Sequence, residues 1–183
     1  MKRLVGSLAA GILVLGLFAP SAFATHSNGQ GPDKDFLNGT SKNLVDIPPQ
    51  LGGGTRESHQ HINAQADATG AGNADGHFFL TVFDFPIAGF TAHVTGPVLC
   101  LDVVLNEAID RSVIETSDPP GFEGFGLLGK RIDNGEPGHG PPPDQAGGTL
   151  TPAPGPNPLC PPGNAPFPTQ PVEQGNYVAH DGI

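Results

Sequence analysis

Apolar and polar residues alternate along much of the stretch from residue 55 to residue 135, with the period of a β-strand. The clearest case runs from Ser58 to Ala66, where one face is small or apolar and the other is polar. The small face consists of Ser58, Gln60, Ile62, Ala64 and Ala66, and the polar face of His59, His61, Asn63 and Gln65. This pattern predicts a strand with one buried face.

Further segments of the same stretch have strand character, and turn-forming residues separate them. They are residues 77–85, 90–94, 98–105, 107–116 and 125–132. No helical period of useful length is present. Short strands that recur about every ten residues are typical of antiparallel folds. We therefore predict an all-β fold, a single antiparallel β-barrel or sandwich of about 7–8 strands.

Three other segments surround this β-domain core, residues 55–135. Residues 25–54 are polar and Gly-rich, which predicts an extended N-terminal arm that could include one short strand. Residues 136–173 are rich in Pro and Gly and predict a long loop. Residues 174–183 regain strand character around Tyr177. We expect them to form a closing strand of the same domain, paired with an open sheet edge.

Residues 1–24 have the features of a secretory signal peptide. Two basic residues precede the uncharged apolar run Leu4–Ala19, and small residues follow at Ala22 and Ala24. A membrane anchor is the alternative, but the run is shorter than the roughly 20 residues that span a bilayer. We predict a secreted, extracellular chain that begins at Thr25 and has no membrane association after signal removal.

Composition and charge narrow the possible partners. Lys and Arg number 8 against 18 Asp and Glu, a formal net charge of −10, which argues against nucleic acid or an anionic membrane. The 27 Gly and 21 Pro exclude a fold of long helices. In an oxidising compartment we expect the two cysteines, Cys100 and Cys160, to form a disulfide. Two unpaired thiols are the alternative.

His59 and His61 are candidate metal ligands, because residues two apart in a strand project from the same face. Such a site needs a third ligand, for which His77 and His93 are candidates. In the predicted hairpin register, paired residue numbers sum to about 143, which places His77 opposite Ala66 and several pairs away from His61. The alternative is that these histidines are polar residues of a solvated face.

Oxygen ligands are concentrated at Asp133, Asn134, Glu136 and Asp144, and Ca²⁺ prefers such ligands. Their spacing does not match the EF-hand loop, and Asn134-Gly135 is a common hairpin turn. This pattern is compatible both with a calcium site and with a structural turn. No other cofactor is predicted.

Short motifs follow one another in a recognisable order along the chain. They are Gly76-His77-Phe78, Val98-x-Cys100-Leu101-x-Val103, Asn106-x-Ala108, Val113-Ile114, Asp133-Asn134-Gly135-Glu136-Pro137-Gly138 and Gly175-Asn176-Tyr177-Val178-x-His180-Asp181. This order resembles a broad group of uncharacterised secreted bacterial proteins, common in actinobacteria. The resemblance implies one small β domain with its closing strand at the C-terminal end, and it implies no substrate, cofactor or catalytic residue. The chain departs from the group at Leu105, where Gly is usual, and at Asp110, where an apolar residue is usual.

Motifs of common enzyme classes are absent from the sequence: G-x-S-x-G, H-E-x-x-H and the phosphate-binding G-x-x-x-x-G-K-[ST]. Our first hypothesis is a secreted, monomeric, non-catalytic β-domain protein that binds or adheres to an unknown extracellular ligand or protein. The second is a metal-dependent extracellular enzyme that uses His59, His61 and loop carboxylates. The third is a structural module whose Pro-rich segment docks on a partner. A largely apolar cavity would favour a small-molecule binder.

Overall fold

The structure, a computed structural model, describes residues 34–47, 49, 52–67, 74–85, 89–135, 142–155 and 158–182. The predicted signal peptide, residues 1–24, lies outside the described residues. In the described part of the chain, no helix is long and apolar enough to cross a membrane.

Within the described residues, ten strands form one antiparallel sheet that is curled into a half-barrel. They are β1 (Lys34–Asp46), β2 (Thr55–Asp67), β3 (Asp75–Phe85), β4 (Phe90–Val104), β5 (Glu107–Val113), β6 (Thr116–Asp118), β7 (Gly126–Ile132), β8 (Gln145–Thr151), β9 (Gln170–Pro171) and β10 (Gln174–His180). The order across the sheet is β10-β1-β2-β3-β4-β5-β7-β8-β9, and β6 pairs with β4. The predicted all-β antiparallel class is confirmed, with ten strands rather than about 7–8.

Part of the predicted N-terminal arm is a long strand of the sheet. β1 spans 13 residues between β10 and β2, so the arm prediction is corrected for Lys34–Asp46. Its inner face alternates apolar residues such as Leu37 with the buried polar residues Ser41 and Asn43. A strand whose buried face is partly polar has a weak apolar alternation, and this explains why the pattern did not identify it. β8 lies within the segment that was predicted as a Pro/Gly-rich loop, so that prediction is corrected for Gln145–Thr151. The pattern did not identify this strand because Gly147 and Gly148 interrupt its apolar alternation.

The buried face predicted for β2 is confirmed: Ser58, Gln60, Ile62, Ala64 and Ala66 are buried, while His59 and His61 are exposed. The β2–β3 register differs from the prediction. Ile62 pairs with Phe78 and Asn63 with His77, so paired numbers sum to 140. An odd sum would have set exposed residues of one strand against buried residues of the other, and a sheet with one buried face requires an even sum.

The C-terminal strand pairs with the otherwise open edge of β1, as the sequence predicts. β10 pairs antiparallel with β1, and Gly39 lies opposite Tyr177. A Cβ at Gly39 would come within 2.6 Å of the Tyr177 ring, so glycine leaves the room that this buried ring fills. Tyr177 thereby joins the main core, whose other large members include Leu37, Ile62 and Phe78.

The predicted disulfide is confirmed: Cys100 on β4 bonds to Cys160, with a Cα–Cα distance of 5.7 Å. The neighbouring Pro-rich residues are held against the outer face of the sheet. The Gly163 N–H donates to the Asp102 carboxylate, and the Lys130 ammonium donates to the Ala165 carbonyl at 2.9 Å. This part of the Pro-rich segment is therefore fixed to β4 and β7.

Candidate functional site

A charged pair is buried inside the half-barrel. Arg131 on β7 donates from Nη1 to Oδ1 of Asp110 on β5 at 2.7 Å, and the two side chains are 8% and 3% exposed. Gly129 lies opposite Asp110 across the strands. A Cβ at Gly129 would collide with the guanidinium, so this glycine allows Arg131 to fold back over its own strand. The facing residues of β5 and β7 therefore leave the space that the ion pair occupies.

Burial affects the two charges of the pair in opposite directions. It raises the pKa of the Asp110 carboxyl, and the attraction of Arg131 opposes that rise. Burial also tends to lower the pKa of Arg131, but Asp110 and Tyr177 together raise it above its ordinary value. Arg131 therefore stays charged, and Asp110 is the member of the pair that takes up a proton when the pH falls.

Buried polar side chains connect Arg131 on β7 to strands on the facing wall of the half-barrel. Its Nη2 donates to Oε1 of Gln60 at 3.1 Å, and Gln60 donates to Oδ1 of Asn43 at 3.2 Å. Asn43 also accepts the Ser41 hydroxyl at 3.0 Å, and that hydroxyl lies 2.7 Å from the Tyr177 hydroxyl. The network runs through β7, β2, β1 and β10. It satisfies most of the polar groups on an otherwise apolar inner face.

One donor of this network has no acceptor. Nε of Arg131 is buried and has no hydrogen-bond partner within the described part of the chain. A buried N–H without a partner is costly, because it has lost water and gained nothing in return. Such groups in native structures call for an explanation, and a bound molecule is one of them.

An inner cavity of about 80 Å³ lies next to the pair. Its polar walls include Gln60, Asp110, Ser112 and Arg131, and its apolar walls include Val45, Val82, Phe85, Val94, Phe122 and Leu150. A water molecule needs roughly 10–15 Å³ of such space, so this cavity has room for several waters or for one small organic group.

Four phenylalanines, Phe85, Phe90, Phe122 and Phe125, form what we call the Phe rim. Phe85 stacks on Phe90 with ring centroids 5.9 Å apart and meets Phe122 edge-on at 5.3 Å. A groove of about 560 Å³ lies along the rim and is also lined by Leu150 and by Pro119, Pro120 and Pro152. Phe85, Phe122 and Leu150 line both spaces, so the rim groove and the inner cavity share a wall.

The predicted calcium loop contacts the edge of β10 that is not paired with β1. Asp144 accepts the N–H groups of Asn134 at 2.8 Å and of Tyr177 at 2.7 Å. Asp133 accepts those of Gly135 at 2.8 Å and of Ala179 at 3.1 Å. All four carboxylate oxygens thus already hold a backbone N–H.

The amide of Asn134 donates to the Pro143 carbonyl at 2.8 Å. Glu136 lies outside the described residues. The structure therefore gives Asp133, Asn134 and Asp144 a role in the fold, and the calcium site stays a prediction.

The histidines predicted as metal ligands lie exposed on the outer face of the sheet. His59 is 3.4 Å from the Glu57 carboxylate and meets Phe83 edge-on, while His61 lies beside Phe79. The observed register brings His77 to the other side of Phe79, closer to His61 than the sequence suggested. Even so, the described residues contain no group of three or more His, Cys, Asp or Glu side chains that could hold a metal ion.

The sequence pattern did not identify Arg131 and Gln60 as site residues, and it did not pair Asp110 with a basic residue. A signal was available in the strand alternation. Asp110 stands between the inward residues Ala108 and Ser112, where an apolar residue is expected. A charged residue at an inward position requires a buried partner of opposite charge, and Arg131 is the inward residue of the next strand.

No known protein family, curated protein or solved structure matches this chain. The fold and the inner face define the class: an antiparallel half-barrel with a buried ion pair beneath an apolar cavity. The resemblance to secreted actinobacterial β-domain proteins stays a prediction.

Proposed function

We propose that the protein is a non-catalytic binding protein that takes up a small apolar molecule at the Phe rim and the inner cavity. The observation that carries this proposal is the pairing of a roughly 560 Å³ apolar groove with a second cavity behind the shared residues Phe85, Phe122 and Leu150. Sites for small molecules are concave, mostly apolar and about 300–1,000 Å³ in volume, with a few polar groups that set orientation.

The aromatic rim supports this proposal because rings provide large contact areas at a low cost in side-chain entropy. Phe125 is 45% exposed, so part of the rim meets solvent without cover. The bound molecule would therefore have an aromatic or short alkyl body, sized to lie against Phe90, Phe122 and the prolines opposite.

We infer further that the protein acts outside the cytoplasm. The apolar leader at residues 4–19 predicts export, and the Cys100–Cys160 disulfide is of a kind that persists in oxidising compartments. Docking through a free Pro-rich segment is less well supported, because residues 158–168 include a disulfide and two hydrogen-bonded contacts with the sheet.

The proposal is tested with a tryptophan reporter, since the chain has no Trp of its own. Phe125→Trp places the reporter on the rim, and Val178→Trp places a matched control on the outer face of β10, where the native residue is also 45% exposed. Each purified variant is titrated with butylbenzene while Trp emission is recorded.

We expect a saturable blue shift from the Trp at position 125 and no shift from the Trp at position 178, because only the rim reporter would lose water on binding. An absent or non-saturable shift at position 125, or equal shifts at both positions, would overturn the proposal.

A further inference from the structure

We propose that the inner cavity selects molecules that carry a neutral carbonyl oxygen, which accepts the free Nε–H of Arg131. This inference rests on the proposed function, since it names the chemical class of the molecule bound there. It concerns the polar end of that molecule, whereas the Phe rim receives the apolar body.

The Nε–H of Arg131 is a hydrogen-bond donor that no described residue accepts. In the described part of the chain Nη1 of Arg131 is engaged by Asp110, Nη2 by Gln60, and Nε alone has no partner while its side chain is more than nine-tenths buried. The contacts of Nη1 and Nη2 hold the guanidinium in place, so an incoming oxygen that displaces the atoms packed over Nε would meet an N–H that is already oriented.

Space for that oxygen lies beside the guanidinium, where two strands present glycines to each other. Gly129 and Gly148 are paired across β7 and β8, and both line the inner cavity. A Cβ at Gly148 would meet only the Leu128 carbonyl, at 3.6 Å, so the space above it is open. A side chain at position 148 would occupy the volume that the proposal assigns to the carbonyl group.

The charge of the site favours a neutral head group over an acid. Asp110 already balances Arg131 at 2.7 Å, and the other acidic residue at the cavity, Asp46, has no second Arg or Lys there to offset it. A carboxylate in this place would be a buried negative charge without a counter-charge, which proteins avoid. A ketone, ester or amide oxygen accepts the same hydrogen bond without that cost.

Three probes with similar phenylalkyl bodies separate these possibilities: 4-phenyl-2-butanone, 3-phenylpropionate and butylbenzene. Each is titrated into the full secreted chain at pH 7, with ¹⁵N NMR spectra that include the Arg131 Nε–H signal. We expect the ketone to bind at least tenfold more tightly than the other two. We also expect the ketone alone to shift the Arg131 Nε–H signal and to slow its exchange with water.

Gly148→Val tests the location while both members of the ion pair are retained, and an added Cβ at Gly148 comes within 4 Å only of the Leu128 carbonyl. Gly155→Val is the matched control, since an added Cβ at Gly155 meets nothing within 4 Å and this glycine does not line the cavity. We expect the first variant to weaken ketone binding at least tenfold and the second to leave it unchanged, with both chains folded by NMR.

The outcomes distinguish the two proposals. If all three probes bind with equal affinity, or if the acid binds most tightly, the head-group inference is wrong while the binding function stands. If Gly148→Val binds the ketone as the wild type does, the assigned location is wrong. If butylbenzene shows no saturable binding, the proposed function itself fails, and the inference that rests on it fails with it.

Discussion

The carboxylate of Asp144 accepts the backbone N–H of Tyr177 at 2.7 Å and so takes the place of a neighbouring strand along the free edge of β10. Two residues further along the same edge, Asp133 accepts the N–H of Ala179. Successive N–H groups on one side of a strand are two residues apart, and two loop carboxylates meet them in turn. Side chains, rather than strand pairing, thus join β10 to the β7–β8 loop.

Replacing Asp144 should therefore weaken the whole domain. Asp144→Ala removes the acceptor of two N–H groups, those of Asn134 and Tyr177, and each buried donor left unpaired costs about 1–3 kcal/mol. We expect the free energy of unfolding in urea to fall by about 2–4 kcal/mol, and Asp144→Asn to show roughly half of this loss. Asp67→Ala, at an exposed carboxylate of β2, is the control and should change little. A loss no larger than that of the control would refute the role of Asp144.

Calcium should have no effect on the stability of this loop. Every carboxylate oxygen of Asp133 and Asp144 already accepts a backbone N–H, so a cation would have to compete with four hydrogen bonds. We expect the same thermal midpoint in 1 mM EDTA and in roughly millimolar CaCl₂, the range of weak extracellular calcium sites. A midpoint that rises with calcium would instead support the predicted site that includes Glu136.

Glu123 should titrate far below an ordinary glutamate. Its carboxylate accepts the Ser117 hydroxyl and the Gly121 N–H, both at 2.7 Å, and these bonds lower its pKa to about 2. Because the pKa is lower in the folded state, the ionised carboxylate stabilises the fold at pH values above the ordinary pKa of 4.5. That stabilisation is lost as the pH falls towards 2. An NMR titration of the Glu123 carboxyl should show the low midpoint.

Two variants check the cause of this low pKa. Ser117→Ala removes the hydroxyl donor, so the Glu123 midpoint should rise towards its ordinary range. Glu123→Gln should be less stable than the wild type at pH 7, and this difference should disappear as the pH falls through about 2, where the wild-type carboxylate becomes neutral. A Glu123 midpoint near 4 in the wild type would contradict the geometry of the turn.

The sequence predicted those strands whose buried face is apolar, and it predicted the disulfide. In β2 the inward residues from Ser58 to Ala66 alternate with polar residues without a break, and Ile62, Ala64 and Ala66 mark the buried face, so local pattern and final burial agree. In β1 the inward positions include Ser41 and Asn43, and their polar groups are satisfied by Gln60 and Ser58 on β2 and by Tyr177 on β10, the two strands that flank β1. That compensation depends on distant residues, and a local pattern cannot contain it.

The candidate site was hidden from the sequence for the same reason. Arg131 and Gln60 are 71 residues apart and meet only after β2 and β7 face each other inside the half-barrel. The alternation requires an even sum of paired residue numbers in β2 and β3, but it does not choose among the even sums, and turn-forming residues do not locate the hairpin tip to the residue. Composition could locate turns and strands, but not which inward polar residues would become neighbours.

Opening the disulfide should destabilise the domain substantially. The bond closes a loop with a sequence separation of 60, which the chain-entropy account values at about 4 kcal/mol. We expect reductant to lower the thermal midpoint of the wild type, and the double variant Cys100→Ser with Cys160→Ser to have the lower midpoint with or without reductant. A double variant as stable as the oxidised wild type would show that the Pro-rich segment needs no covalent link to stay on the sheet.

The buried pair of Arg131 and Asp110 should behave as a unit in a double-mutant cycle. Removing one partner leaves the other charge buried without compensation, so Arg131→Met and Asp110→Leu should each lower the free energy of unfolding by about 3–5 kcal/mol. Combining both substitutions removes both charges, and apolar replacements of a buried pair are often close to neutral. We therefore expect the double variant to be more stable than either single variant in urea unfolding. Additive losses would mean that the two side chains contribute independently, through Gln60 and Ser112, rather than through their contact with each other.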